Sequence, residues 1–334
     1  MIISMREVWD RAVGRHGAYV RRVIATALQA PPAKKISSPF LQDFLVRHAK
    51  AIAVGRPDSL ETLIDLVEAW RADPLTSEKD RALFESESKR IFDYKTFSDK
   101  GTKGWNAFEL CKLSSHRLCP YCQQSYAFTM ITRVKSKRGR KVGLGSRRGF
   151  RPTLDHFFPK SAHPYLALSL YNLVPACQVC NSSLKSQTDF YKKRHLHPLR
   201  DDECLRFELG AEEYLRYRQD PHVGLRLKAV VTNLAMKAEA EASIETFLLN
   251  KRYSAHTMEL ARWMESLRHW TPREILRLAE RFDVKSADEM ARFEAMLFNF
   301  DRNDHRYEML GRIKMDLYDA VQADRLRSPH SAAP

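Results

Sequence analysis

Two Cys-x-x-Cys pairs constrain this chain more than any other feature of its sequence. They are Cys119-Pro-Tyr-Cys122 and Cys177-Gln-Val-Cys180, and together they supply four thiolates, the ligand set of a closed structural zinc site. A catalytic zinc needs an open position, which four protein ligands do not leave. Residues 123–176, a stretch of 54, separate the pairs, whereas compact zinc ribbons have roughly 15–20. The sequence therefore predicts a zinc-stapled domain with other structure inserted between its halves.

The positive charge of the chain is concentrated in its middle third. The formal net charge is +15, from 56 Lys and Arg against 41 Asp and Glu, and residues 111–204 contribute +12 with 17 basic and 5 acidic side chains. Residues 1–110 contribute +3 and residues 205–334 contribute 0. A basic module between near-neutral flanks predicts a polyanionic partner, most simply DNA, with an anionic membrane surface as the weaker alternative. No run of about 18 apolar residues occurs, so no membrane-spanning helix is expected.

The start of the chain lacks the apolar core of a signal peptide, because charged side chains recur throughout residues 1–22. A cytoplasmic location is therefore expected. In that reducing compartment Cys-x-x-Cys pairs bind metal more often than they form disulfides. The two remaining cysteines, Cys111 and Cys204, are interpreted as buried small side chains.

Helical patterns occupy both flanks of the basic third. Apolar residues recur at helical spacing from Val8 to Ile24 before Pro31-Pro32 ends that segment, and a second helix is expected over Phe40–Ala53. In the middle third, short β-prone runs such as Tyr126–Val134 replace this pattern. Capping signals predict further helices that start at Asp58, Ser77, Thr271 and Ser286.

Three motifs of chemically useful residues lie between and just after the cysteine pairs. They are Asp155-His-Phe-Phe-Pro-Lys160, Asn172-Leu-Val-Pro, and Asn181-Ser-Ser-Leu-Lys185 directly after the last cysteine. With the cysteines, over about residues 116–200, they resemble the HNH, or ββα-metal, endonucleases that have a zinc-stapled core with four cysteine ligands. The run Leu196–Asp202 is similar to HNH proteins that act beside an ATPase in Septu-type bacterial antiphage systems.

The resemblance implies a role for each residue of these motifs. His156 would be the general base, and Asp155 with Asn181 would hold the catalytic metal. Asn172 would hold the loop that orients the base, and Lys185 would neutralise a phosphate oxygen. Many family members have His where this chain has Asn181, and the amide oxygen favours Mg²⁺ or Mn²⁺ over zinc. Hydrolysis of DNA would leave a 5′-phosphate and a 3′-hydroxyl.

The chemistry of Asp155 and His156 fits these roles. An imidazole with a pKa of about 6.5 is substantially neutral at cellular pH and can accept a proton from water. Neighbouring side chains of a regular strand point to opposite faces. Both residues can therefore enter one site only if the strand ends or twists at them.

The predicted fold class is α+β, mostly helical, with a small ββα-metal core between helical domains. Residues 1–104 form the N-terminal helical domain, 105–204 the nuclease core, and 205–324 the C-terminal helical domain. Residues 325–334, which contain two prolines and no apolar pattern, are expected to be a disordered tail.

A basic segment runs from Arg133 to Arg151, with nine Lys or Arg, four Gly and no acidic residue. Contact with the DNA backbone is the functional interpretation, and a solvated hairpin is the alternative. The residues expected to contact DNA are Arg133, Lys135, Lys137, Arg138, Arg140, Lys141, Arg147, Arg148 and Lys160.

Two interpretations of different classes remain open. One is a metal-dependent DNA endonuclease, and the other is a non-catalytic zinc module that binds nucleic acid or a protein partner. The trio of Asp155, His156 and Asn181 separates them, because a pure binding module has no need of it. RNA is a less favoured substrate, since no aromatic-interleaved RNA-recognition motif is visible. The protein partners left open are an ATPase, another defence-system protein, a guide complex and a second copy of the chain. Weaker site candidates are His116, His163, His195 and His197.

Overall fold

The computed structural model of the chain describes residues 3–132, 148–220 and 224–327. Residues 133–147, most of the predicted DNA-contacting segment, and residues 328–334 of the predicted tail lie outside these ranges. The described protein is mostly helical with small two-stranded sheets, as the predicted fold class requires. Over the same ranges no helix is long and apolar enough to cross a membrane.

The chain forms two compact units. The first comprises residues 4–120 and 126–202, and the second comprises residues 1–3, 121–125 and 203–334.

The first unit opens with six helices: α1 (Val13–Leu28), α2 (Pro39–Val54), α3 (Pro57–Ala72), α4 (Glu78–Ile91), α5 (Tyr94–Ser98) and α6 (Ala107–Cys111). The predicted capping box of Ser77 and Asp80 at the start of α4 is confirmed. The predicted capping box of Asp58 and Glu61 is wrong, because the N-cap of α3 is Arg56, two residues earlier, and it makes no side-chain capping bond. Helix α3 begins at Pro57, which has no N–H to lose and the φ that a first helical residue needs.

Aromatic side chains pack these helices together and onto the middle third of the chain. The rings of Phe40 and Trp70 are stacked with centroids 4.2 Å apart, and the rings of Phe84 and Tyr165 lie 5.7 Å apart. Two polar contacts add to this packing. The indole of Trp9 donates to the main-chain oxygen of Leu173 at 2.8 Å, and Nε2 of His16 lies 2.7 Å from that of Leu168.

Two antiparallel pairs of strands follow in the same unit. Strands β1 (Met130–Thr132) and β2 (Arg148–Phe150) form one pair, and β3 (Thr153–His156) and β4 (Leu173–Ala176) form the other. A short π-helix, Val179–Lys185, follows β4. The predicted β run from Tyr126 to Val134 is described only as far as Thr132, and in that part it is a strand over β1. Tyr126 also forms an isolated bridge with Leu118.

The second unit pairs two strands and packs helices around them. Its elements are β5 (Leu205–Leu209), α7 (Ala211–Gln219), β6 (Leu227–Val231), α8 (Lys237–Thr246), α9 (Leu249–Ser254), α10 (Thr257–His269), α11 (Pro272–Arg281), α12 (Ala287–Phe298) and α13 (Gly311–Arg327). The predicted capping boxes at Thr271 and Ser286 are confirmed. The carboxylate of Asp316 on α13 accepts a hydrogen bond of 2.8 Å from the main-chain N–H of Phe207 on β5.

Candidate functional site

The four paired cysteines converge on one point. Their sulfur atoms all lie within 4.8 Å of one another, and a tetrahedral zinc with sulfur at about 2.3 Å places its ligands about 3.8 Å apart. No disulfide joins them, and the least buried, Cys177, is only 9% exposed. The cluster can hold a structural metal ion such as zinc. Cys111 and Cys204 lie outside it and are buried, as predicted.

Backbone N–H groups face two of these sulfurs. The N–H of Cys180 donates to Sγ of Cys177 at 3.4 Å, and that of Gln124 donates to Sγ of Cys122 at 3.5 Å. Such bonds stabilise a thiolate, which is the form that binds metal. The donors therefore suit a charged cysteine cluster rather than four protonated thiols.

The turn after Cys122 requires an uncommon backbone conformation. Gln123 has φ +50°, which is costly for a residue other than glycine. Its buried carboxamide holds it there, since Oε1 accepts from the N–H of Arg312 at 2.7 Å and Nε2 donates to the main-chain oxygen of His305 at 2.5 Å. These bonds fix the chain directly after Cys122 of the cysteine cluster.

Asp155 and His156 end strand β3, and both line one cleft of about 300 Å³. The register pairs His156 with Leu173, the first residue of β4. The strand thus stops at the second of the two neighbouring residues that line the cavity. The chain order β3, β4 and π-helix then brings Asn181 and Lys185 to the cleft as well.

The charged groups that line this cleft are mostly cationic. Asp155 is the one acidic residue among the described residues of its wall, and the cations are Arg151, Lys160 and Lys185. Lys160 is exposed, and its ammonium lies 4.8 Å from the centroid of the Tyr94 ring. A cleft of this charge favours an anionic group such as a phosphate.

The imidazole of His156 is held in one tautomer. Its Nε2 lies 3.0 Å from the main-chain oxygen of Ala167, and because a carbonyl only accepts, Nε2 carries the proton and Nδ1 is the basic nitrogen. Burial, followed by the charges of Lys160 and Lys185, lowers the pKa of His156 to about 3, although the bond to Ala167 opposes the shift. The ring is therefore neutral at cellular pH.

Asn172 fixes the loop that holds this imidazole. It is fully buried, its Oδ1 accepts from the N–H of Phe158 at 2.8 Å, and its Nδ2 donates to the main-chain oxygens of Phe158 and Leu166, both at 3.0 Å. Leu166 precedes Ala167, whose oxygen receives the His156 bond. Asn172 thus ties Phe158 to Leu166 next to the carbonyl that His156 contacts.

Lys185 lies in a different environment from the one that a phosphate-binding role predicts. It is 1% exposed, and its Nζ donates to Oδ1 of Asp155 at 2.8 Å and to the main-chain oxygen of His156. The lysine therefore compensates the charge of a buried carboxylate and ties the π-helix to the end of β3. Its first partner is a protein group, although it still borders the cleft.

The oxygen donors in the cleft fit a hard divalent cation. The carboxylate of Asp155 is 2% exposed and Asn181 is half-buried, and both border the same cavity. Mg²⁺ is commonly held by one or two protein oxygens, with water and phosphate oxygens completing its shell. The two residues therefore offer oxygen atoms of the kind that such an ion binds.

Tyr94 also lines the cleft, although the sequence assigned it no role. The ring of Tyr94, on α5, meets the imidazole of His156 edge-on with centroids 4.4 Å apart, and burial raises the pKa of Tyr94 to about 12. Arg151 belongs to the basic segment but lines the cleft. No local motif marks Tyr94, because it lies far before the histidine that it contacts.

The other sequence candidates either lie outside the described residues or have structural contacts. Only the backbone of Arg148, within β2, is described among the predicted DNA-contacting residues 133–148. The four weaker histidine candidates are buried and have protein contacts: His116 with Glu7, His163 with Asp189, His195 with Lys193, and His197 stacked on Phe157.

No family model matches this chain, and neither a curated protein nor a solved structure matches it.

Proposed function

We propose that this protein is a metal-dependent endonuclease of the HNH type that hydrolyses phosphodiester bonds in DNA, with zinc in the cysteine cluster. One observation carries the proposal. The neutral imidazole of His156 has its proton fixed on Nε2 by Ala167, and it lies beside Asp155 in a cationic cleft. The order of β3, β4 and the π-helix supports it, since this is the ββα arrangement that the resemblance implies.

In this mechanism Nδ1 of His156 accepts a proton from the attacking water. A positioned general base contributes about 10²- to 10⁴-fold to a rate. The bond from Nε2 to Ala167 orients the ring and disperses the positive charge that forms on it. Asn172 keeps that carbonyl in place through the adjacent Leu166.

The phosphate is held by positive charge. The cations available to the phosphate oxygens are Lys160, which is exposed at the cleft, and Arg151, which directly precedes Pro152. Asp155 and Asn181 would hold Mg²⁺ or Mn²⁺, which, when bound, neutralises charge that builds on the phosphate and on the leaving oxygen. Lys185 holds the Asp155 carboxylate in place through its ammonium.

A biological role in antiphage defence beside an ATPase is the narrower part of the proposal. It rests on the likeness of Leu196–Asp202 to Septu-type proteins. In this structure the segment is fixed by the N–H of His197, which donates to Asp201 at 2.6 Å, and by Arg200, which lies 2.8 Å from Glu61 of α3.

The second candidate is a zinc module that binds nucleic acid or a partner without cleaving it. The contact of Lys185 with Asp155 favours this candidate, because an ammonium already compensates the charge of the carboxylate that would hold the metal. The two candidates differ in one measurable property, which is divalent-metal-dependent strand cleavage.

Nicking of supercoiled plasmid tests the proposal. Wild-type protein, His156→Ala and Asn181→Ala are assayed with Mg²⁺, with Mn²⁺ and without added metal, and His269→Ala replaces an exposed histidine as the matched control. We expect metal-dependent nicking that falls about 10²- to 10⁴-fold in His156→Ala and is unchanged in His269→Ala.

The zinc-module interpretation predicts DNA binding without nicking under every metal condition. Nicking by His156→Ala at the wild-type rate would refute the assignment of the base. Equal melting temperatures of the variants, measured beforehand, would show that loss of nicking does not reflect unfolding.

A further inference from the structure

Four apolar side chains form a strip on the first unit, and three of them are exposed. They are Tyr126, Phe128, Met130 and Phe150, here called the aromatic strip. Tyr126 is 63% exposed, Met130 59% and Phe150 54%. The ring of Phe128 lies 5.4 Å, centroid to centroid, from that of Tyr126 on one side and from that of Phe150 on the other.

The backbone explains why these side chains share a face. Residues 126, 128 and 130 alternate along an extended segment, in which every second side chain points the same way. Ala127, between the first two, is 2% exposed and faces the interior. Strand β2 completes the strip because Phe150 is the register partner of Met130.

Single exposed apolar residues are ordinary on protein surfaces, but contiguous ones are not. A group of exposed apolar side chains therefore indicates an interaction surface. The charge of the surrounding sequence indicates the partner. From Glu109 to Asp155 the chain has no intervening acidic residue and eleven Lys or Arg. A second copy of this chain would bring like charge to the same place, which disfavours a self-paired strip.

A polyanion with accessible aromatic faces suits both the exposed apolar side chains and the basic sequence around them. Unpaired bases stack on protein aromatic rings while cations hold the phosphates. In a duplex the base faces are covered by their neighbours, so exposed rings on a surface do not reach them. A surface of this kind would discriminate between unpaired and paired DNA.

We propose that the aromatic strip binds unpaired bases of single-stranded DNA and directs that strand to the Asp155–His156 cleft. Phe150 is five residues from Asp155, a separation of at most about 17 Å, and Arg151, the next residue, lines the cleft. The proposal deepens the proposed function by naming the form of its substrate. The link from the strip to cleavage rests on the proposed nuclease function, whereas the binding of single-stranded DNA by the strip does not.

Binding is measured by fluorescence anisotropy with a labelled single strand of about 20 nucleotides, longer than one binding platform covers, and with the duplex of the same sequence. The protein is the full chain carrying His156→Ala, without added Mg²⁺ or Mn²⁺, so that cleavage does not intervene. In this background we expect Phe150→Ala and Tyr126→Ala each to weaken single-strand binding by about fivefold to a hundredfold. Phe150→Trp retains it, and duplex binding is unchanged.

Phe282→Ala is the matched control, because Phe282 is 66% exposed and lies outside the strip. Single-strand binding by Phe150→Ala equal to that of Phe282→Ala would overturn the inference. A change of the oligomeric state of Phe150→Ala, seen by light scattering and without a change in DNA binding, would also overturn the inference. Tighter binding of RNA than of DNA of the same sequence would overturn it as well.

The two proposals fail separately. If the wild-type protein nicks plasmid and the strip variants still bind single strands normally, the role of the strip is refuted and the proposed nuclease function stands. Strip-dependent binding by a protein that never nicks DNA would refute the nuclease and retain the binding surface.

Discussion

Nε2 of His156 donates a 3.0 Å hydrogen bond to the main-chain oxygen of Ala167. The bond determines which ring nitrogen is basic, because the proton must lie on Nε2 and the lone pair on Nδ1. Asn172 holds the adjacent carbonyl of Leu166. The orientation of the His156 imidazole thus depends on Ala167, which follows it by 11 residues in sequence. It also depends on the side-chain amide of Asn172, the residue directly before β4.

The ring of Tyr94 keeps water from His156, which gives a prediction for the pKa of the imidazole. Tyr94→Phe retains the edge contact at 4.4 Å, so the pKa stays near its present value of about 3. Tyr94→Ala opens a cavity, costs about 3–5 kcal/mol of stability, and raises the pKa toward about 6.5 as the ring is hydrated. NMR titration of the His156 ring measures it, and equal pKa values in the two variants would refute this role for Tyr94.

Removal of Lys185 leaves the carboxylate of Asp155 without its ammonium partner at 2.8 Å. Breaking a buried ion pair costs about 3–5 kcal/mol. We therefore expect Lys185→Met to lower the free energy of unfolding in urea by that amount, and the double variant Asp155→Asn with Lys185→Met to recover much of it. A double variant no more stable than Lys185→Met would show that the pair is not energetically coupled.

Stability falls as the solution becomes mildly acidic. Burial lowers the pKa of His156 to about 3 and of His16 to about 4, and it lowers that of His197 well below the usual value. Between about pH 6.5 and pH 4 the unfolded chain binds more protons than the folded chain, so each histidine costs about 1 kcal/mol per pH unit. The contribution is complete above about pH 6.5 and is lost as the pH falls.

Melting temperatures recorded from about pH 7.5 to pH 5.5, a range that spans the unfolded histidine pKa, test this prediction. His16→Phe should show a shallower decline than wild type, and His269→Ala, which replaces an exposed histidine, should show the same decline as wild type. A level profile in the wild-type protein would contradict the buried neutral histidines.

The cysteine cluster predicts about one zinc ion per chain by elemental analysis. Cys177→Ser should lose the metal and lower the melting temperature, since metal binding contributes to folding. Cys111→Ala replaces a buried cysteine outside the cluster and should retain the metal. Freshly purified wild-type protein without zinc would remove the premise of a zinc-stapled core.

Local chemistry allowed several features to be predicted from the sequence. The spacing within each cysteine pair indicates a metal site wherever the pairs meet, and the sulfurs do meet within 4.8 Å. The capping boxes at Ser77, Thr271 and Ser286 are correct because each involves only a few neighbouring residues. The end of a strand at Asp155-His156 follows from the alternation of side chains.

Contacts between distant residues were decided only by the tertiary structure. Lys185 has a motif position suited to phosphate, yet its ammonium binds Asp155, 30 residues away in sequence. Tyr94 carries no signal of a site, and Phe150 joins the aromatic strip only through the register of β1 and β2. The sequence determines which groups are chemically capable. The path of the chain determines which of them meet, because hydrogen bonds, ion pairs and ring contacts form only over a few ångströms.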